Sequence, residues 1–210
     1  MKSILVFAVS LLVISCGSLP RELQQLEELS IFEISNDKQS IVLDGVINSS
    51  AFKEFKELNI ENPTIKTLEI VNCDGSINDE VNLELAAYVY QQGFNTHLND
   101  NGLVASGGTD LFLAGRKRSL GKNTRIGVHS WGNGRKTQAT DFPKGHKHHK
   151  PYIDYYTSVG FTQAAAEDFY FFTINAASAD DIHWMTVEEI EKYNLTNTNN
   201  QLQNINTPEN

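Results

Sequence analysis

Apolar and polar positions between residues 40 and 195 fall into two recurring textures. "SIVLDGVI" (40–47) is β-branched and apolar without a helical period, which predicts a buried strand, and "AFKEFKEL" after it has helical spacing. "TIKTLEIV" (64–71) predicts a second strand, closed by the turn residues "NCDGS". "NDEVNLELAAYVYQQ" then opens with a capping residue and acids in its first turn, carries Val81, Leu85, Tyr88 and Val89 on one face, and stops at Gly93. Two short strands, "FNTHL" and "LVAS", are predicted on either side of a turn "NDNG". A helix "GGTDLFLAG" and a strand "TRIGVHSW" follow, then a long loop and two helices, "PYIDYYTSV" and "TQAAAEDFYFFTINAA". The last helix has a wide apolar stripe, Ala165, Phe169, Phe172 and Ala176 beside Ala166, Tyr170 and Ala177, which needs two partners: the sheet, and either more of this chain or a second copy. Strands alternating with helices predict an α/β domain with a largely parallel sheet and a C-terminal helical extension, its ligands at the carboxyl ends of the strands.

The ends of the chain read differently. Met1, Lys2 and Ser3 precede "ILVFAVSLLVIS", an apolar run too short for a stable membrane span, so residues 1–15 are expected to be a secretory signal. "VISC" (13–16) resembles the bacterial lipobox, which implies lipidation of Cys16 and a lipoprotein on the cell envelope, facing the periplasm or exterior. Residues 16–39, with leucines at 19, 23, 26 and 29, are expected to be a tether or short helix, and the Asn-rich residues 196–210 a disordered tail.

Charge and cysteine content narrow the function. A net charge of -9 with one isolated basic stretch, "KGHKHHK", argues against nucleic acid. With Cys16 removed from the count, Cys73 stands alone, so the domain has no internal disulfide and relies on its core. Nothing basic adjoins Cys73 in sequence, which favours a small buried apolar residue over a nucleophile. His146, His148 and His149 do not share a helical face and lack a nearby carboxylate or cysteine; a solvated loop is expected, with no metal.

Chemistry concentrates at three predicted strand ends: Cys73, Asp74 and Gly75 after one, Ser106 after another, His129 near a third. A serine hydroxyl becomes a nucleophile when a base takes its proton and backbone N–H groups face the oxygen that gains charge. Gly107 and Gly108, opening a helix after Ser106, offer such N–H groups. An α/β-hydrolase elbow is disfavoured, because it needs glycine where Val104 stands and an acid before the histidine.

Six pieces in order, "IVLDGVI", "LEIVNCDGS", "NLELAAYVYQQ", "VASGGTDLFLAG", "NTRIGVHSW" and "WMTVEEIEKYNL", resemble the Clp protease proteolytic subunit and the wider crotonase-like superfamily. The resemblance implies that Ser106 is the nucleophile and His129 its base, with Gly75, Asp74 and Gly107 supplying the oxyanion donors. Two departures stand out. Asp74 takes a position where the family usually has glycine, and the third triad position falls on Ile182, with Asp180 and Asp181 just before it. A one-residue shift makes Asp181 the expected acid. The resemblance implies a cofactor-free extracytoplasmic serine peptidase acting on peptides or unfolded proteins, and a homo-oligomer is expected from it. The competing reading is a crotonase-fold peptide- or partner-binding protein with little or no catalysis.

Overall fold

The computed structural model describes residues 21–132 and 137–198. The elements are α1 (Arg21–Glu27), β1 (Phe32–Ile34), β2 (Ile41–Asp44), α2 (Ala51–Glu61), β3 (Thr67–Cys73), α3 (Asp79–Gln91), β4 (Asn95–Ala105) and α4 (Gly107–Leu113). They continue with β5 (Arg118–Leu120), β6 (Arg125–Val128), a 3-10 turn (Ala139–Asp141), α5 (Lys150–Ser158), α6 (Gln163–Ala176), β7 (His183–Trp184) and α7 (Val187–Lys192). The expected signal at 1–15, Cys16, and positions 199–210 of the expected tail lie outside the described residues.

One seven-stranded sheet runs in the order β1-β2-β3-β4-β6-β7, with β5 on β4. Its central pairs are parallel, and only β1 and β7 run antiparallel to their neighbours. Ile41, Leu43, Leu68 and Ile70 are fully buried in it. Helix α3 starts where its sequence signals: the Asn78 side chain accepts the Val81 N–H, with Asp79 and Glu80 in the first turn. Phe55 of α2 packs edge-on against Phe32 and lies 5.0 Å from the Phe94 ring, joining β1, α2 and the start of β4 in one core.

One expectation changes. "FNTHL" and "LVAS" are one strand, β4, with the intervening residues bulged: Ile70 pairs with Leu98, yet Asn72 pairs with Leu103. A Cβ on Gly102 would come within 2.6 Å of the Val71 carbonyl oxygen, so the glycine lets the bulge lie against β3. Asn101 takes φ 61°, and Asp100 accepts the Lys122 N–H at 2.7 Å. The bulge divides β4, whose first half pairs with β5 and whose last three residues pair with β6. Residues 21–39 hold a short helix, α1, and also reach the core: β1 is part of the sheet, Ile31 and Phe32 are buried, and the Asn48 side chain donates to the Leu26 and Leu29 carbonyls. Strand β1 is not legible in the sequence because it is three residues long and has too little pattern to register as a strand.

At the other end, Arg118 is a buried cation without a carboxylate partner among the described residues. Its guanidinium donates to the backbone carbonyls of Gly115, Asn194 and Leu195, and Asn197 accepts its N–H. The wide stripe on α6 is largely absorbed within the chain: Ala166, Phe169, Tyr170 and Ile174 are buried, while Phe171, Phe172 and Ala176 are partly so.

Candidate active site

The parallel registers bring three strand ends together. Cys73 pairs with Val104 and Ala105 with Gly127, so the segments after β3, β4 and β6 leave the sheet side by side. Ser106 follows β4 at φ 52° and ψ -127°, a conformation that costs a non-glycine residue about 1–3 kcal/mol. Its N–H donates to the Gly127 carbonyl and its own carbonyl accepts the Thr109 N–H, so both flanks fix the turn while its hydroxyl makes no hydrogen bond among the described residues.

The turn after β3 lies directly over the serine. A Cβ on Gly75 would stand 3.3 Å from the Ser106 Cβ and 3.7 Å from its Oγ, and Gly75 has φ 149°. The Gly75 and Gly107 N–H groups donate to no backbone carbonyl among the described residues. Gly107 and Gly108 are required by close approach: added Cβ atoms would lie 2.5 Å from Ser76 Oγ and 2.2 Å from the Cys73 carbonyl oxygen. The Asn82 side chain donates to the Gly107 carbonyl at 3.0 Å, fixing the first peptide of α4. Asp74 is exposed and does not line the cavity beside Ser106; its charge faces Arg125 and Asp44, and burial still raises its pKa. Cys73 is buried, and burial pushes its thiol up to about 12, which makes it inert at neutral pH.

His129 and Ser106 line the same cavity, of about 40 Å³. The hydroxyl and the ring make no direct hydrogen bond here, a separation common in unliganded sites. Burial lowers the His129 pKa, keeping the ring neutral at pH 7, while the Ala179 and Ser178 carbonyls and, more weakly, the charges of Asp79 and Asp180 oppose this. Nδ1 is buried and has no hydrogen-bond partner among the described residues. Asp181 is not brought to the ring: it is exposed, and its carboxylate accepts the N–H of Ile182, because the loop leaving α6 turns it outward. Of the two acids considered there, only the charge of Asp180 reaches His129.

Several groups in the cavity carried no signal read from the sequence. Asp79, Asp110, Tyr152, Tyr156 and Tyr170 also line it. The Tyr152 hydroxyl donates to Asp79 at 2.7 Å and Tyr156 to Asp110 at 2.6 Å, which docks α5 over the site. Burial, with the charge of Asp79, raises the Asp110 carboxyl to about 7 against the Tyr156 hydrogen bond. The tyrosines at 152 and 156, four apart, were the available clue to a polar helix face. His149 also departs from expectation: it is buried and bonded to the Tyr170 hydroxyl at 2.7 Å, while Trp131 donates to the same oxygen. A solvated loop fits its neighbours His146 and His148, not His149.

No family model matches the chain, and no curated protein matches it. Among solved structures, it is similar to a ClpP1 mutant from Listeria monocytogenes, at 18% identity and TM-score 0.50 over 76% of this chain and 90% of that one. It is equally similar to the ClpP protease catalytic domain from Plasmodium falciparum, again at 18% and 0.50, over 76% of this chain and 83% of that one. Mixed α/β with a seven-stranded sheet and flanking helices, the chain has a Clp protease-like fold.

Proposed function

We propose that this protein is a serine hydrolase, most directly a peptidase, that forms an acyl-enzyme on Ser106. The observation that carries this reading is the convergence on one cavity of a strained serine and a neutral, half-buried histidine, under a glycine turn, with the serine hydroxyl unbonded and the turn's N–H groups free of backbone carbonyls among the described residues. Ser106 Oγ attacks the acyl carbon as His129 takes its proton. The carbonyl oxygen gains charge against the N–H groups of Gly75 and Gly107, with Asp74 N–H beside them. His129 then protonates the leaving amine, and water repeats the sequence to release the acid. The reaction needs no cofactor. The imidazolium would be steadied by the Ser178 and Ala179 carbonyls and the charge of Asp180, not by Asp181.

In the same reading Cys16 carries lipid, the domain works outside the cytoplasm, and substrates are short or unfolded peptides; acyl-CoA, a cytoplasmic metabolite, is disfavoured. Assembly into a homo-oligomer belongs to this reading as well. Wild-type protein is expected to react with a fluorophosphonate probe at Ser106 and Ser106→Ala to lose the label; label retained by the variant rejects the assignment. The bare Nδ1 of His129 favours a second reading, a peptide-binding protein of low activity. A bound peptide recovered intact after hours with native protein would support it.

A further inference from the structure

Asp110 lies one helical turn below Ser106, its N–H 3.3 Å from the Ser106 carbonyl oxygen. Its Oδ1 accepts from Tyr156, and Oδ2 makes no hydrogen bond among the described residues. Asp79, on the facing helix α3, accepts from Ser76 at 2.6 Å and from Tyr152 at 2.7 Å. Two carboxylates therefore share a cavity with Ser106 and His129, and neither has a lysine or arginine partner among the described residues. Neutral hydroxyls solvate these half-buried charges without cancelling them, which leaves the cavity a net anionic lining. Burial, with the charge of Asp79 added, raises the carboxyl of Asp110 to about 7.

We propose that this cavity is a specificity pocket for substrates whose acyl portion carries a primary ammonium, as a lysine- or ornithine-type side chain does, with Asp110 and Asp79 as its anionic floor. The proposal rests on Ser106 being the nucleophile. One helical turn spans about 5.4 Å, close to the reach of a four-carbon stem from an acyl carbon held at Ser106. A space of about 40 Å³ takes two or three waters or one ammonium head, and excludes a guanidinium or an aromatic ring. The stem would lie in the mouth against Val128, Trp131 and Ile174, which also border the cavity.

The test compares labelling of Ser106 in the full chain by two diphenyl phosphonates that differ only in a lysine or a norleucine side chain, with a fluorophosphonate as the common reference. The lysine probe is expected to react about tenfold faster or more, each rate being divided by that of the fluorophosphonate on the same protein, and Asp110→Asn to bring the lysine-to-norleucine ratio near one. Equal rates, or a norleucine preference, overturn the pocket and leave the nucleophile standing. If the fluorophosphonate itself fails to label, the hydrolase reading falls, and thermal shift with n-butylammonium against butanol decides the pocket. Stabilisation by the ammonium alone, lost in Asp110→Asn, supports it; no difference between the two overturns it.

Discussion

Asp110 shows how one buried side chain couples site and stability. Its carboxyl titrates near 7 in the fold, against about 3.9 in an unfolded chain, so between these values the native state holds a proton that the unfolded state has released. Stability from this group is therefore fully present below about 4 and is lost as pH rises towards 7. The groups facing it are Tyr152, Tyr155 and Tyr156 from α5, Tyr170 from α6 and Asp79 from α3, none of them cationic. Asp110→Asn keeps an acceptor for Tyr156 and removes the titration. Its melting temperature should match wild type near pH 5.5 more closely than at pH 8, where the variant should be the more stable; a constant gap between pH 5.5 and 8.5 would refute the coupling. Ser106 and His129 stood out in the sequence because each closes a strand beside small residues. Asp110 did not, since a carboxylate in the first turn of a helix reads as an ordinary response to the helix dipole. Its burial comes from α5, some forty residues later, which local pattern cannot reveal.

The junction between β4 and α4 owes its geometry to neighbours on both sides. Gly108 presses against the Cys73 carbonyl, so α4 can leave the sheet at the angle that presents Ser106 under the Gly75 turn. Gly108→Ala would place a methyl 2.2 Å from a backbone oxygen that cannot move without disturbing β3. A loss of about 1–3 kcal/mol or more is expected, seen as a fall in melting temperature on the order of 5–10 °C for a chain of this size. Fluorophosphonate labelling should fall with it. Unchanged melting would show that α4 can shift, and that the glycine is not needed for packing. Helix α3 and the strands β2, β3 and β6 were legible because periodicity, caps and turn residues agree there. The bulge in β4 was not: "NDNG" has the composition of a hairpin turn, and only pairing with β3 on one side and β5 and β6 on the other reveals that the strand continues.

For the molecule as a whole, the proposed lipid on Cys16 would set how far the domain can stand from a membrane. Helix α1 begins at Arg21, five residues after Cys16, and a fully extended chain spans at most about 3.6 Å per residue. A lipid on Cys16 would hold the domain within about 20 Å of the bilayer. Cys16→Ser should abolish incorporation of an alkyne-tagged fatty acid and move the protein from the membrane fraction to the soluble one; a membrane-bound variant would place the anchor elsewhere. Arg118, finally, ties residues more than seventy positions apart, and its acceptors come from the last described stretch of the chain. Until that stretch has been delivered, a charged group in the interior has no acceptors waiting at its far side. A chain cut short before Asn194 would leave this buried guanidinium with the Gly115 carbonyl alone, and should melt at a lower temperature than the full chain.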